Sequence, residues 1–267
     1  MGSAILYKLK LSCIYMLREV TEFTAEHAEL VGMHFGDGSL IKRPGKNTLR
    51  FQLRGDARED RDHYLNFIFP LCDKLIGYPY FGRSLSQIFD RKNNCFGLSI
   101  ETTRLNSLFE RLEIPIGPKT ELYIPSWIKE NTEFSKAFLR GFLDTDGTIY
   151  CGRNYSCRLP SKRHIRISLQ LTSSSRNLML EMSTLLENFK LSYFLQKLRP
   201  IGKQKSVVYR LCIYYKNVNK WFDLIGSHNP KHLTKYQIYR LFGACPPHTT
   251  LALRKRILKE NLDPYIV

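Results

Sequence analysis

The sequence of 267 residues lacks the features that mark membrane, secreted and zinc-binding proteins. No apolar run approaches the ~20 residues that span a bilayer. The apolar N-terminus is interrupted by Lys8 and Lys10 and has no small-residue cleavage site, so we predict no signal peptide. The seven cysteines show neither a CxxC pair nor a Cys/His metal spacing. This usage favours a reducing, intracellular location such as the cytoplasm, the nucleoid or an organelle.

Acidic residues are also scarce, with 24 Asp and Glu against 41 Lys and Arg, for a net charge of +17. The excess is concentrated in two stretches. Residues 153–210 contain twelve basic residues and only Glu181 and Glu187 as acids, and residues 40–58 contain six basic residues and only Asp56. A solvated basic surface kept for solubility is one explanation. We favour a polyanionic partner, because binding that neutralises phosphates releases counterions.

One order of elements occurs twice along the chain, and hydrophobic residues at 43% supply material for a core. The first copy is predicted as a helix from the N-cap Thr24 to Phe35, strands over 39–42 and 48–54, a helix over 58–77, strands over 79–88 and 95–100, and a helix over 103–112. The second copy is predicted as a helix over 134–143, strands over 148–152 and 164–171, a helix over 175–189, strands over 192–199 and 207–214, and a helix over 218–225. We therefore expect an α+β protein of two pseudo-symmetric αββαββα halves.

The boundaries follow from composition. We predict a first half over residues 1–112, a linker over 113–133 that is rich in Pro and Gly, a second half over 134–228, and a C-terminal extension over 229–267 with one or two helices. Asp37 and Asp146 lie 109 positions apart, and Gln52 and Gln170 lie 118 apart. A longer first hairpin in the second half accounts for the difference.

Two short motifs occupy corresponding places in the two halves. "LVGMHFGDG" covers residues 30–38, and "LRGFLDTDG" covers residues 139–147. Both resemble the nine-residue signature of the LAGLIDADG homing endonucleases, in the form that has two motifs in one chain. The second copy keeps both acids, whereas the first has Phe35 where the signature has its first acid. The resemblance covers both halves and implies that family's fold, with antiparallel sheets forming a DNA-binding saddle.

The residue types of the motifs also have a physical reading. Gly32 and Gly36 are four positions apart, as are Gly141 and Thr145, and small residues at this spacing let two helices approach closely. We expect Gly38 and Gly147 to end the helices in a left-handed conformation. Asp37 and Asp146 would then lie in the last turns, where the helix dipole and mutual repulsion disfavour negative charge. A divalent cation with hard oxygen ligands compensates for this.

The resemblance implies a metal-dependent hydrolysis of DNA phosphodiesters with Asp37 and Asp146 as direct ligands. Mg²⁺ is the expected ion, and Mn²⁺ or Ca²⁺ can occupy such a site. Gln52 and Gln170 match the glutamine that related enzymes carry on the second strand of each half, and Lys216 matches their lysine after the fourth strand. The corresponding stretch of the first half offers Thr103 and the neighbouring Arg104, which leaves the basic group there open. Asp144 is expected at an interface or cap, because its counterpart Phe35 excludes a symmetric metal role.

The second strand of each half alternates polar and apolar residues, as expected of a sheet with one face on helices and the other open to DNA or to solvent. An antiparallel β-ribbon fits the major groove. The candidate DNA-binding residues are Lys42, Arg43, Arg50, Arg54, Arg83, Arg153, Arg163, Arg166, Arg199, Lys203, Lys205 and Arg210.

The sequence therefore predicts a monomeric, site-specific double-strand DNA endonuclease, with a long and nearly palindromic target and no membrane partner. One alternative is an intron RNA splicing cofactor (a maturase), with an RNA surface formed by Lys231, Lys235, Arg254, Lys255 and Arg256. A second is an inactive DNA-binding regulator on the same fold. Retention of both acids argues against that regulator.

Overall fold

The computed structural model describes residues 22–153, 163–200 and 207–266. The candidate DNA-binding residues Lys203 and Lys205 lie outside these ranges, as does most of the second-half hairpin loop. None of the helices in the described ranges is long and apolar enough to cross a membrane.

The first half contains three helical segments and four strands. Helix α1 begins after a capping box between Thr24 and His27, in which the His27 ring takes the place of the usual Glu or Gln. The elements are α1 (Ala25–Phe35), β1 (Gly38–Lys42), β2 (Leu49–Asp56), α2 (residues 61–81), β3 (Gln87–Asp90), β4 (Cys95–Thr102) and α3 (Asn106–Arg111).

The prediction of a strand over residues 79–88 is wrong for residues 79–86, because the strand begins only at Gln87. Helix α2 continues to Phe81 through π-helical turns over Tyr64–Ile68 and Asp73–Phe81, and it includes Pro79. It ends at Gly82, whose φ of 65° is the left-handed conformation that stops a helix. Asp73 then accepts a hydrogen bond from the Leu85 backbone N–H at 2.6 Å, which turns the chain back before β3.

The second half repeats this order, with a four-residue helix before it and two further helices after it. The elements are α4 (Ser126–Lys129), α5 (Thr132–Asp146), β5 (Gly147–Gly152), β6 (Arg166–Ser173), α6 (Arg176–Asn188), β7 (Phe194–Leu198), β8 (Val208–Tyr214), α7 (Lys216–Leu224), α8 (Pro230–Phe242) and α9 (Leu251–Glu260). Helix α5 is longer than predicted and reaches Asp146 itself.

The strands form two antiparallel sheets with equivalent topology, in the orders β1-β2-β4-β3 and β5-β6-β8-β7. The predicted α+β class with two similar halves is therefore confirmed. Burial alternates along β2, with Leu49, Phe51 and Leu53 buried and Arg50, Gln52 and Arg54 on the opposite, outer face. The inner faces join the buried side chains of α1 and α5 in one hydrophobic core.

The residues between the halves pack against the second half. Leu122, Ile124 and Ile128 are each at most 1% exposed. Ser175 accepts a hydrogen bond from the Leu122 N–H at 2.9 Å, and its hydroxyl also caps the start of α6. The connection over residues 113–131 is therefore held in place by the core, and this fixes the position of its polar residues.

Candidate active site

Helices α1 and α5 cross with their backbones in direct contact. A Cβ built on Gly32 would stand 2.2 Å from the Phe138 carbonyl oxygen, and one on Gly141 would stand 2.3 Å from the Glu29 carbonyl oxygen. Near the C-terminal ends, a Cβ on Gly36 would stand 2.1 Å from Thr145 Oγ1. Any side chain at these glycines would force the helices apart, so the small residues of both motifs determine how closely the helix ends approach.

This contact brings the two motif aspartates together. A Cβ on Gly36, the residue before Asp37, would stand 3.1 Å from Cβ of Asp146. Asp37 lies in the turn between α1 and β1, and Asp146 is the last residue of α5. Each acid thus immediately precedes the first strand of its own sheet.

The prediction that Gly38 and Gly147 adopt a left-handed conformation is wrong. Gly147 is extended, with φ −91° and ψ 169°, and Gly38 is not among the glycines with positive φ. Glycine is needed at both positions for space, because a Cβ on Gly38 would stand 2.5 Å from Cα of His34 and one on Gly147 would stand 2.6 Å from the Leu143 carbonyl oxygen. Asp37 is also outside α1, which ends at Phe35 with Gly36 as its cap.

The environment disfavours ionisation of both acids. Burial, with the charges of Asp146 and Asp60 adding to it, raises the pKa of Asp37 to about 7. Part of the Asp146 side chain is exposed, yet the surrounding protein removes enough water to raise its pKa as well. Two carboxylates held together with raised pKa values form a site that a cation would stabilise.

Two lysines from distant parts of the chain supply positive charge beside the pair. The Lys119 ammonium donates to the carbonyl oxygens of His34 (3.3 Å), Phe35 (3.2 Å) and Gly36 at the end of α1. Lys231, at the start of α8, forms an ion pair with Asp60 at 2.7 Å. Both ammonium groups lower the pKa values of Asp37 and Asp146, and so partly offset the burial. Sequence reasoning did not identify Lys119 as a site residue.

The oxygen donors at this position fit a divalent ion. Carboxylates and backbone carbonyls are the hard ligands that Mg²⁺ and Ca²⁺ prefer, and Asp37, Asp146 and the Gly36 carbonyl are of this type. The charge balance agrees, because burial raises the pKa of both acids and the charge of Asp146 further raises that of Asp37, so that a cation bound here would favour their ionised forms.

Gln52 and Gln170 occupy equivalent register positions in the two sheets. Gln52 pairs across the sheet with Ser39, two residues after Asp37, and Gln170 pairs with Thr148, two residues after Asp146. The Gln52 amide donates to Ser99 Oγ at 2.9 Å, and the Gln170 amide donates to Ser168 Oγ at 3.2 Å. Both glutamines are thus on the outer faces of their sheets, and their amides bond to serines of β4 and β6.

The candidate basic residues differ between the halves. Lys216 is exposed and begins α7, directly after Tyr215, whose φ of 49° is positive. In the first half, Thr103 and Arg104 are exposed. The Arg104 guanidinium donates to the Tyr80 carbonyl at 3.4 Å and lies over the Phe81 ring at 5.8 Å. It is therefore directed toward α2.

Asp144, the extra acid of the second motif, holds the chain after α7. It is 1% exposed and accepts hydrogen bonds from the Ser227 hydroxyl and from the His228 N–H. Burial raises its pKa to about 7.

Glu29, Asp144 and His228 place potential metal-ligand atoms within 4.8 Å of one another. However, Arg140 donates to both carboxylate oxygens of Glu29, at 2.9 and 2.7 Å, so that this cluster is an internal ion-pair network.

The C-terminal extension is joined to both halves at its first residue. The Asn229 amide donates to Asp60 Oδ1 at 2.9 Å and to the Asp144 carbonyl at 2.7 Å. The Asn229 side chain also caps α8, and this orients Lys231 toward Asp60. A boundary drawn between residues 228 and 229 therefore passes through the polar network that borders the acid pair.

The candidate DNA-binding residues are divided by their surroundings. Arg50, Arg54, Arg166 and Arg210 lie on the outer faces of the sheets, and Lys42, Arg83, Arg153 and Arg199 are exposed. Arg43 forms an ion pair with Glu101 at 3.2 Å, and Arg163 forms one with Asp263 at 2.9 Å. Those two guanidinium groups must exchange an acid for a phosphate if they are to bind DNA.

The expected RNA surface at the C-terminus is not formed by the residues named for it. Arg254 is 0% exposed and forms an ion pair with Glu59 at 2.6 Å. Lys231 pairs with Asp60, and the Lys235 ammonium lies 3.5 Å from the Ile149 carbonyl. Only Lys255 and Arg256 of the five are exposed, and both contact acids. Lys231, Lys235, Arg254 and Lys255 thus join α8 and α9 to the two halves, whereas Arg256 pairs with Glu260 within α9.

The comparisons with known proteins identify the fold. Residues 133–226 match the family described as LAGLIDADG-like domain. No curated protein matches the chain. Among solved structures, I-LtrWI, a LAGLIDADG homing endonuclease bound to target DNA, is 11% identical with a TM-score of 0.53, over 82% of this chain and 89% of that one.

A point mutant of I-SmaMI is 13% identical with a TM-score of 0.53, over 90% of this chain and 94% of that one. I-SmaMI bound to uncleaved DNA in the presence of calcium ions is 12% identical with a TM-score of 0.51, over 90% and 93%. The protein therefore contains a LAGLIDADG-like domain over residues 133–226 and has the LAGLIDADG homing endonuclease fold in a single chain. The resemblance inferred from the two motifs is confirmed at this level.

Proposed function

We propose that this protein is a site-specific, double-strand DNA endonuclease that requires a divalent cation. The observation that carries the proposal is the convergence of Asp37 and Asp146 at the ends of the crossed helices α1 and α5, each directly before the first strand of a sheet. The two acids would hold Mg²⁺, each serving mainly one DNA strand. Bound there, the ion would lower the pKa of a water molecule and stabilise the charge that develops on the scissile phosphate.

The remaining residues of the site position the reactants. Gln52 and Gln170 each pair across the sheet with the second residue after an acid. Their amides would orient the attacking water by hydrogen bonding. Lys216 would stabilise the phosphate in the second half by its charge. In the first half, Thr103 or Arg104 would have to supply the corresponding contact, and the present direction of Arg104 toward Tyr80 favours a weaker contribution there.

The outer faces of the two sheets would bind the DNA duplex. Each antiparallel sheet presents alternate residues of its strands, a geometry that fits the major groove. The net charge of +17 supplies the attraction to phosphates. Because two halves read two half-sites from one chain, we expect a monomer with a long, nearly palindromic target and an intracellular location.

A cleavage selection tests the proposal. The full chain is incubated with Mg²⁺ and a randomised duplex library, and the new ends are sequenced. We expect one family of sites, and we expect Asp37→Asn and Asp146→Asn each to lower the rate by about 100-fold or more while DNA binding remains. Asp223→Asn, an exposed acid of α7, is the control. Folded protein that cuts no sequence with Mg²⁺ or Mn²⁺ would overturn the proposal. Intron splicing that survives Asp146→Asn would replace it with the maturase function.

A further inference from the structure

The outer faces of the two sheets differ in chemistry. On the first sheet, the central strand β2 presents Arg50, Gln52 and Arg54, and their cross-strand neighbours include Ser39, Ser99 and Glu101. Arg54 is exposed, and Arg50 keeps a buried Nε without a hydrogen bond within the described residues. This face is therefore mainly charged and polar, with guanidinium groups at two of its central positions, and its apolar members Ile41 and Ile88 are half-buried.

The second sheet presents large apolar side chains at the corresponding level. Tyr150, Phe194 and Tyr214 are 53%, 57% and 36% exposed. Register places Tyr150 and Tyr214 on either side of Ser168 in one row across β5, β6 and β8. In the next row Phe194 pairs with Cys212, which in turn pairs with Gln170.

The apolar face continues along the sheet. Leu198 pairs with Val208 at the far end of β7 and β8, and both are half-buried. Gln196 and Arg210 form the row between them and Phe194. The outer face of the second sheet therefore combines exposed rings and aliphatic groups with the Gln170 and Gln196 amides and with two arginines, Arg166 and Arg210. What distinguishes it from the first sheet is its exposed rings. Exposed apolar groups concentrated on one face mark a binding surface, because water contact with each of them is unfavourable.

The major groove of DNA has one apolar group, the C5-methyl group of thymine, and Phe side chains contact it. Glutamine amides suit adenine edges, whereas arginine suits guanine. We infer that the second sheet recognises an A·T-rich half-site through contacts of Tyr150, Phe194 and Tyr214 with thymine methyl groups, and that the first sheet recognises a half-site with guanines through Arg50 and Arg54. This inference rests on the proposed DNA-binding function and gives the two half-sites different base content.

Replacing thymine by uracil tests the inference, because uracil lacks the methyl group and pairs identically. A preferred duplex is first selected by binding of the full chain with Ca²⁺ at fixed salt concentration. The second half-site is defined as the one whose selected bases change with Phe194→Ser. We expect that half-site to be rich in A·T pairs, and each thymine that contacts a ring to lose about fourfold in affinity when uracil replaces it.

Variants separate a methyl contact from other roles of the rings. In Phe194→Ser, the uracil effect at the affected position should disappear, because the partner of the methyl group is gone. Tyr150→Phe keeps the ring, so the uracil effect at its thymine should remain, whereas disappearance of that effect would overturn the methyl contact for that residue. Arg54→Gln should relax the preference at a guanine in the other half-site only.

The failures can be told apart. Protein that selects no duplex at all contradicts the proposed function itself. Protein that selects and binds a site, but shows no uracil effect in either half, or changes neither half-site with Phe194→Ser, contradicts only the base-content inference. A second half-site composed mainly of G·C pairs would contradict it in the same way.

Discussion

Gly32 and Phe138 are in backbone contact across the α1–α5 crossing, since a Cβ on Gly32 would stand 2.2 Å from the Phe138 carbonyl oxygen. The symmetric contact joins Gly141 to the Glu29 carbonyl at 2.3 Å. Backbone atoms cannot rotate away as a side chain can. The distance between the helices, and with it the distance between Asp37 and Asp146, therefore depends on both glycines.

Gly32→Ala and Gly141→Ala should each destabilise the protein by about 2–4 kcal/mol, because an added methyl group overpacks a backbone contact. Lys136→Ala on α5 is the control and should change stability by less than about 1 kcal/mol, since it removes only an exposed ion pair with Glu133. Urea unfolding followed by circular dichroism measures all three. Wild-type stability in either glycine variant would show that the helices can separate freely.

The helix pair could be predicted from sequence because its determinants are local. Glycines and a threonine four positions apart, followed by Asp and Gly, occur within nine residues of each motif. The conformation of Gly38 and Gly147 was predicted wrongly for an equally local reason. Both positive φ and lack of space select glycine, and the sequence alone does not distinguish them.

The polar surroundings of the acid pair could not be predicted in this way. Lys119 lies in the connection between the halves and contacts Gly36, which is 83 positions earlier. Asn229 bonds to Asp60 and to Asp144, which are 169 and 85 positions earlier in the chain. Arg254 appeared in sequence to be a surface cation, yet it is buried against Glu59. No periodicity or motif spacing carries such long-range pairing, since it depends on how whole elements dock.

The raised pKa of Asp37 gives its charge a distinct effect on stability. The pKa of Asp37 is about 7 in the folded state and near 4 in the unfolded state, so folding takes up a proton between pH 4 and pH 7. The contribution of the neutral carboxyl group to stability is therefore complete below pH 4 and is lost as the pH rises to 7. The buried His34 and His63, with pKa values lowered to about 3, act in the opposite direction. A comparison with a variant at each pH is therefore needed to isolate Asp37.

Asp37→Asn should be more stable than the metal-free wild type at pH 8 by about 2 kcal/mol and nearly equal to it at pH 4. Calcium should raise the unfolding midpoint of the wild type at pH 8 and have little effect on the variant, because the ion binds the folded acid pair. Asp223→Asn should follow the wild type throughout. A calcium response of full size in Asp37→Asn would remove Asp37 from the metal site.

Lys119 supplies a cation at the end of α1, where helix carbonyls and the acid pair are negative. Lys119→Met should destabilise the metal-free protein by about 1–3 kcal/mol, since hydrogen bonds from a charged donor are lost. At pH 9, where Asp37 is ionised, the variant should bind calcium at least about threefold more tightly because a competing positive charge is gone.

Isothermal titration with calcium measures the affinity of Lys119→Met, and thermal unfolding measures its stability. Lys129→Met is the matched control, because it removes a lysine from the same connecting segment that pairs with Glu181 at 2.7 Å on the surface. Weaker calcium binding in Lys119→Met than in this control would mean that Lys119 holds the ligands in place rather than competing with the ion.

Arg254 and Lys255 are adjacent in α9, and both pair with acids of the first half. Arg254 is 0% exposed and bonds to Glu59 at 2.6 Å and to Thr234 at 3.0 Å, whereas the Lys255–Asp62 pair is on the surface, with the Lys255 side chain 51% exposed. Breaking a buried pair leaves an unpaired acid and lost hydrogen bonds, whereas an exposed pair is screened by water. Arg254→Met should therefore lower the free energy of unfolding by about 3–5 kcal/mol, and Lys255→Met should lower it by less than about 1 kcal/mol. Urea unfolding of the two variants gives the comparison. Equal losses would show that α9 is held by its apolar face, with the buried guanidinium contributing little to the attachment of the extension.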